Sequence, residues 1–412
     1  MAVGPSVGLV GQLRTAGETS YCDDSGPVLP LFLHAGDLLC VDAWGGREAD
    51  VEHAFDVTAQ AGYHGWRTWA TLNWAARPDS WWAPRYVGPG VTDDYRGRLR
   101  RHLDRGFSRG LVAHLSVGDI KYASDQQEDD LYGLLRDVVT EYGVEHFVMP
   151  GEVNEARDTG DEDDREPGEI RDLVEIIRGR HPEVLYALSA FTGHEELDLI
   201  KAWTPAWMRF AYYHAYRGGN ISDKIRHAFS FPYEVLGGFR RLVWDGEGPG
   251  FGPWVSAADH KEELDTEGMG ALCAMKWIAR TAVTLMSSQG VIFDEPFEVI
   301  PGFATIPQLR DRLPRDVMQF ETLHHSGQSK VGTRVLVAGG EYDRVDGAIH
   351  GDGRFAYVLH GTPGEHRHRV ERAFTGVVIN PGTLDETPVA HDIGEELAVT
   401  YRRARILLGN VR

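Results

Sequence analysis

Between residues 31 and 296, short apolar runs alternate with longer amphipathic ones, and that alternation restricts the folds open to the chain more than any single motif does. Strand-like runs fall at 38–41, 64–72, 111–117, 145–150, 184–190, 208–213, 241–244 and 291–293. Stretches of helical period separate them at 49–62, 93–109, 127–142, 168–180, 195–202, 221–236 and 262–288. Gly or Pro marks many of the joints: Gly62, Gly110, Gly143, Pro182, Gly238 and Gly290. Strands alternating with helices predict a parallel sheet. Eight such units over about 265 residues match a closed (β/α)8 TIM barrel of the α/β class. The competing fold, an open doubly wound sheet, calls for a glycine-rich phosphate loop after an early strand, and the sequence has none there.

Beyond Pro296 the pattern changes. Short strand-like runs at 333–338, 355–360, 375–379, 396–401 and 404–408 are separated by Gly, Pro and Asp turns, with no helical stretch among them. The expected organisation is an N-terminal extension (1–30), a barrel (31–296), a connecting segment (297–332) and a small C-terminal antiparallel β domain (333–412). No internal repeat is visible. The acidic run 161–166 lacks calcium-loop spacing and reads as a solvated loop.

A formal net charge of -20 argues against a nucleic-acid partner, because phosphate binding needs clustered cations. No apolar run of about 18 residues exists to cross a membrane. The first thirteen residues lack a basic region followed by a long apolar one, so they do not read as a signal peptide, and a cytoplasmic or lysis-released protein is expected. Cys22, Cys40 and Cys273 show neither metal-ligand spacing nor a disulfide framework. Oligomeric state leaves no signature.

In a barrel of this class the reactive groups sit where the strands end. The second strand runs into Arg67, Trp69 and Trp74; the third brings His114. The fourth delivers Glu152, Asn154 and Glu155, the sixth Tyr213, His214 and Tyr216. The seventh ends in Asp245, Gly246 and Glu247, and the eighth in Asp294 and Glu295. Strands four and seven lie across the barrel, so their carboxylates face one another over a gap. Cleavage of a glycosidic bond needs such a pair, one to protonate the leaving oxygen and one to attack the anomeric carbon or activate water against it.

Val153-Asn154-Glu155 and Gly246-Glu247-Gly248 together resemble the signature of glycoside hydrolase clan A, which includes family 5. The resemblance implies Glu155 as general acid/base, with Asn154 beside it to hold a sugar hydroxyl, and Glu247 as nucleophile. Arg67 resembles the clan's strand-two arginine that supports the nucleophile, and His214-Ala215-Tyr216 its strand-six His-x-Tyr. The sequence departs from family 5 at the end of strand eight, where an aromatic residue is replaced by Asp294-Glu295. Trp254 and Trp277 are candidates for the missing platform.

Each residue has a plainer reading. Glu152 rivals Glu155, and Asp245 rivals Glu247. Arg67 could be an ordinary barrel ion-pair partner, and His214 and Tyr216 could be core. His114 reads as an interior histidine or as a contact to substrate. Trp74, Trp81 and Trp82, in the loop after strand two, are candidate sugar platforms or loop anchors; Trp66 and Trp69 belong to the strand or its edge. The expectation is a retaining glycosidase acting on an oligo- or polysaccharide by double displacement, with no metal or organic cofactor. The alternative is a glycan-binding or structural barrel, for example in a virion, that does not cut.

Overall fold

The computed structural model describes residues 8–36, 38–39, 47–70, 93–117, 125–153, 166–188, 197–214, 219–232, 242–248, 264–286, 302–324, 334–340 and 342–412. Three short antiparallel strands, β1 (Arg14–Ala16), β2 (Ser20–Asp23) and β3 (Gly26–Val28), come first. They close the N-terminal end of a barrel. The Tyr21 hydroxyl donates to the carbonyl of Val243 (2.9 Å), and its ring meets Trp244 edge-on at 5.5 Å.

The barrel strands are β4 (Leu31–His34), β5 (Gly65–Trp69), β6 (Val112–Val117), β7 (Phe147–Val153), β8 (Phe210–Tyr213), β9 (Leu242–Gly248) and β10 (Thr281–Met286). All are parallel, in the order β7-β6-β5-β4-β10-β9-β8, so the first strand pairs with the last as barrel closure requires. Residues 185–188 run beside β7 in the fifth position. Met149 N–H donates to Leu185 O (2.7 Å) and Val153 N–H to Leu188 O (3.4 Å).

Two strands differ from the sequence reading. The first is Leu31–His34 and not 38–41, because two apolar runs of four residues cannot be told apart by periodicity alone. The eighth is Thr281–Met286, inside what reads as one long helix over 262–288. That helix ends at Ile278. Its stop is a left-handed Arg280 (φ 64°) where a glycine would have announced it. The Arg280 side chain holds the turn by donating to the carbonyls of Met318 (2.8 Å) and Phe320 (3.3 Å). The proposed eighth strand at 291–293, with Asp294 and Glu295, lies outside the described residues, as does Trp254.

The C-terminal domain is two antiparallel sheets. One contains β11 (Thr322–His324), β13 (Arg344–Ile349), β14 (Arg354–His360), β16 (Phe374–Ile379), β17 (Glu386–His391) and β19 (Ala404–Val411). The other contains β12 (Leu336–Val337), β15 (Gly364–Val370) and β18 (Glu396–Tyr401). The strands absent from the sequence reading, notably β13, β15 and β17, are rich in Arg, His, Glu or Asp. In β15 and β17 a solvated face leaves too few apolar residues to form a run, whereas β13 is buried and its run is interrupted by Asp346 and Gly347.

The helix Thr266–Ile278 joins the two domains. It is buried from Gly268 through Ile278, as expected of a helix apolar on every side. One face covers β10 and another meets the six-stranded sheet. A side chain at Gly270 would collide with the Pro381 carbonyl, so glycine there permits the approach. At the N-terminus of this helix, Glu267 Oε1 accepts the backbone N–H groups of Arg402, Arg403 and Ala404 (3.2, 2.8 and 3.1 Å). Among the described residues no helix is long and apolar enough to cross a membrane.

Candidate active site

The lower barrel interior is aromatic. Trp244 lies 5.2 Å from Phe32, 5.8 Å from Phe210 and 6.5 Å from His114, ring centre to ring centre. Nearer the C-terminal ends of the strands the lining turns polar, and there Arg67 is wholly buried. Its Nη1 lies 3.0 Å from His34 Nδ1, and its Nη2 donates to Ser116 Oγ (3.1 Å) and Glu152 Oε2 (3.2 Å). His114 Nε2 lies 3.2 Å from the same carboxylate oxygen. Four adjacent strands, β4 to β7, each supply a member of this network.

Charge follows from these contacts. Burial opposes ionisation of Glu152, but the Arg67 guanidinium and hydrogen bonds from His114 and Ser116 outweigh it and hold the carboxyl at about 2. Burial pushes His114 down to about 4; Glu152 works against that shift, and Arg67 and His214 add to it. The imidazole is therefore neutral near pH 7 and gives its Nε2 proton to Glu152. An ionised carboxylate in this setting has no proton to donate at neutrality.

Both carboxylate-bearing strands are irregular where they approach the mouth. On β7 the pairing with β6 passes from His114↔Val148 to Ser116↔Glu152, so two residues of β6 face four of β7. The extra length is taken up by left-handed Met149 (φ 44°) and Gly151 (φ 86°). Tyr132 donates to the Gly151 carbonyl (2.9 Å), and a side chain at Gly151 would press on the Tyr132 ring. On β9 the register passes from Val283↔Asp245 to Leu285↔Gly248, which inserts one residue at Gly246-Glu247. A Cβ at Gly246 would overlap the Tyr212 hydroxyl, so this backbone approach is open only to glycine. Behind the bulge, Asp245 is buried against Lys276 of the helix Thr266–Ile278.

The sequence candidates are distributed as follows. Arg67 and His114 meet at Glu152. His214 is buried just beyond β8, its ring 6.2 Å from Tyr212. Trp66 packs outward on Phe55 (5.0 Å) and His102 (5.8 Å), and Trp277 is core, donating to the Pro30 carbonyl (3.1 Å). The backbone of Glu247 lies in the β9 bulge. Asn154, Glu155, Tyr216, Trp74, Trp81 and Trp82 lie outside the described residues. Two members of the network were not singled out by sequence. His34 stands just before the run misread as the first strand, and Ser116 carries no signal beyond its place in a strand.

No family model matches the chain, and no curated protein does. Solved structures do. A glycoside hydrolase superposes with a TM-score of 0.64 at 10% identity, covering 97% of both chains. A glycoside hydrolase family 5 structure from Bacteroides vulgatus gives 0.63 at 9% identity over 97% of this chain and 94% of its own. A family 5 mannosidase from Rhizomucor miehei gives 0.50 at 10% identity over 75% of this chain and 97% of its own. The first two extend over nearly the whole chain and so include the β domain. The chain thus has the fold of the clan A glycoside hydrolases, a (β/α)8 barrel with a C-terminal antiparallel β domain.

Proposed function

We propose that this protein is a retaining glycoside hydrolase, with Glu247 as nucleophile and Glu155 as acid/base. The observation that carries the reading is the paired irregularity of β7 and β9. On β9 the shift falls at Gly246-Glu247 itself, and bulges at such positions re-aim side chains; on β7 it falls at 149–151, ahead of Glu152. The likeness of the whole fold to glycoside hydrolases supports the same reading.

In the first half-reaction a Glu247 carboxylate oxygen attacks the anomeric carbon. The glycosidic C–O bond breaks, and the Glu155 proton goes to the departing oxygen. In the second, Glu155 takes a proton from water as that oxygen attacks the same carbon, and Glu247 leaves as carboxylate. Retention follows from two inversions. The network of Arg67, Glu152, His114, Ser116 and His34 forms the floor of the site and holds Arg67 in one orientation toward the mouth. Asn154, His214 and Tyr216 support the pair, and Trp74, Trp81 and Trp82 serve the substrate, an oligo- or polysaccharide; His114, expected as a substrate contact, is wholly buried against Glu152 and belongs to the floor.

A screen of aryl glycosides and polysaccharides with wild type, Glu247→Ala and Glu155→Ala tests this. Glu247→Ala should be inactive on every substrate. Glu155→Ala should lose far more activity on poor leaving groups than on activated aryl glycosides, which depart without protonation. Full activity of both variants on a glycan that the wild type cleaves would overturn the assignment.

A further inference from the structure

The seam between barrel and β domain carries three side chains in series that the glycosidase reading does not use. Ser222 stands in the first turn of the helix Ile221–Ser230, which Asn220 caps by accepting the Asp223 N–H through its side chain (2.9 Å). Ser222 Oγ lies 2.8 Å from Nδ1 of His360, at the end of β14. His360 Nε2 lies 2.9 Å from Oδ2 of Asp346, on β13. The two strands pair Asp346 with Val358, two residues before His360, so the period of two puts the imidazole and the carboxylate on one face. His360 and Asp346 are both wholly buried.

These contacts set the proton positions. Asp346 takes the Nε2 proton, which leaves Nδ1 as the acceptor, so Ser222 Oγ donates to it. The series is a hydroxyl, the base able to take its proton, and the carboxylate that fixes the tautomer of that base. The ring is turned relative to the commoner order, in which the hydroxyl meets Nε2, and either nitrogen can carry the proton. Ser222 is only partly buried and stands in the wall of a cavity of about 250 Å³, with Asn220, Tyr342, Gly361 and Thr362. First-turn N–H groups of a helix have no intrahelical partner and carry the positive end of its dipole, here beside Ser222. A seam that needed only to be held together would do so at lower cost with apolar contacts, because burying ionisable groups is penalised.

We propose that Ser222 and His360, with Asp346 positioning the imidazole, form a second catalytic centre that hydrolyses esters of short carboxylic acids such as acetate. Ser222 Oγ attacks the ester carbonyl carbon while its proton passes to His360 Nδ1. The bond from that carbon to the alcohol oxygen breaks, and the proton goes to the departing oxygen. Water then attacks the acyl-Ser222 carbonyl and gives a proton to His360, which returns it to Ser222 Oγ as the carboxylic acid leaves. Asp346 stays bonded to Nε2 and stabilises the imidazolium in both halves. Negative charge on the carbonyl oxygen develops beside the helix N-terminus, which favours it. The cavity is smaller than a site for a drug-sized ligand, so it admits a short acyl group and excludes a long one. This goes beyond the glycosidase reading, since neither Glu155 nor Glu247 takes part, and either can fail alone.

Two measurements on the full chain test the site. Wild type should hydrolyse p-nitrophenyl acetate, and p-nitrophenyl decanoate far more slowly. An alkyl fluorophosphonate should attach covalently, and peptide mass mapping should place the label on Ser222. Ser222→Ala should lose the label and at least about a hundredfold of the esterase rate. Asp346→Asn, at an unchanged melting temperature, should keep Ser222 but slow its labelling by a similar factor, because the imidazole then takes the wrong tautomer. Should either variant melt early, the position of the label on wild type decides. A wild type that is not labelled, a label placed on another residue, or an esterase rate unchanged in Ser222→Ala overturns the proposal and leaves the three side chains as a tie between the domains. Equal labelling rates in wild type and a folded Asp346→Asn overturn it as well.

Discussion

Arg67 Nη2 stands 3.2 Å from Glu152 Oε2, with both side chains wholly buried. Neither charge has water to turn to, so each depends on the other and on His114, Ser116 and His34. Removing one member of such a pair strands its partner, which typically costs about 3–5 kcal/mol. Glu152→Ala should therefore lower the unfolding free energy by about that amount in urea denaturation. Glu152→Gln, which keeps the shape and some hydrogen bonds, should cost less.

The same pair predicts an acid limb. The Glu152 carboxyl is at about 2 when folded, against about 4.3 in a free chain, so its stabilisation is complete above the unfolded value and is lost as pH falls through the folded one. His114 is at about 4 when folded, against about 6.5 free. The unfolded chain therefore takes its proton first, and stability drops between those values as pH falls. Both effects have one sign. Melting temperature should fall from about pH 6.5 downward and steepen below about pH 4.5. Glu152→Gln should flatten the lower part of that curve, and an unchanged slope there would contradict the assigned charge.

The β9 bulge makes a steric prediction. Gly246→Ala places a methyl group on the Tyr212 hydroxyl, and forced overpacking of this kind costs about 1–3 kcal/mol. Activity should fall more than stability does, because the displaced backbone carries Glu247. Thermal melts and kcat/KM measured side by side would separate the two.

Lys276 and Asp245 are buried together behind that bulge. Lys276→Met should destabilise by about 3–5 kcal/mol, since it removes the cation buried beside the Asp245 carboxylate. Lys276→Met combined with Asp245→Leu should recover much of the loss. A double variant no better than the single one would mean that the pair contributes more than mutual neutralisation.

For the chemistry, external azide should restore part of the rate of Glu155→Ala on an activated aryl glycoside, because a small anion replaces the base-activated water. The product should be a glycosyl azide of retained configuration, identified by NMR. An inverted product would move the enzyme to the single-displacement class, whose carboxyl groups lie about 6.5–9.5 Å apart and not the about 5–5.5 Å expected here.

The barrel was legible because its core-forming runs are local. A buried parallel strand is a short stretch of apolar residues, and a covering helix has a 3.6-residue period; both are written in consecutive positions. The β domain was legible where strands carry enough apolar residues to form a run, so β14, β16 and β18 were seen and the Arg- and His-rich β15 was not. The two misplaced barrel strands failed for local reasons as well. One competed with an equally apolar neighbour, and the other followed a helix that stops at an arginine in the left-handed conformation.

Sequence by itself determined the class of fold, the presence of glutamates at the ends of the fourth and seventh strands, and Arg67 as a residue of consequence. Tertiary structure decided what Arg67 touches and which carboxylate it ionises. It also decided that Asp245 belongs to Lys276, and that His34 and Ser116 join a network no spacing announces. The reason is physical. Strand identity depends on side chains adjacent in the chain, whereas a buried charge is fixed by partners contributed from four different strands, and no local pattern records which of them will meet.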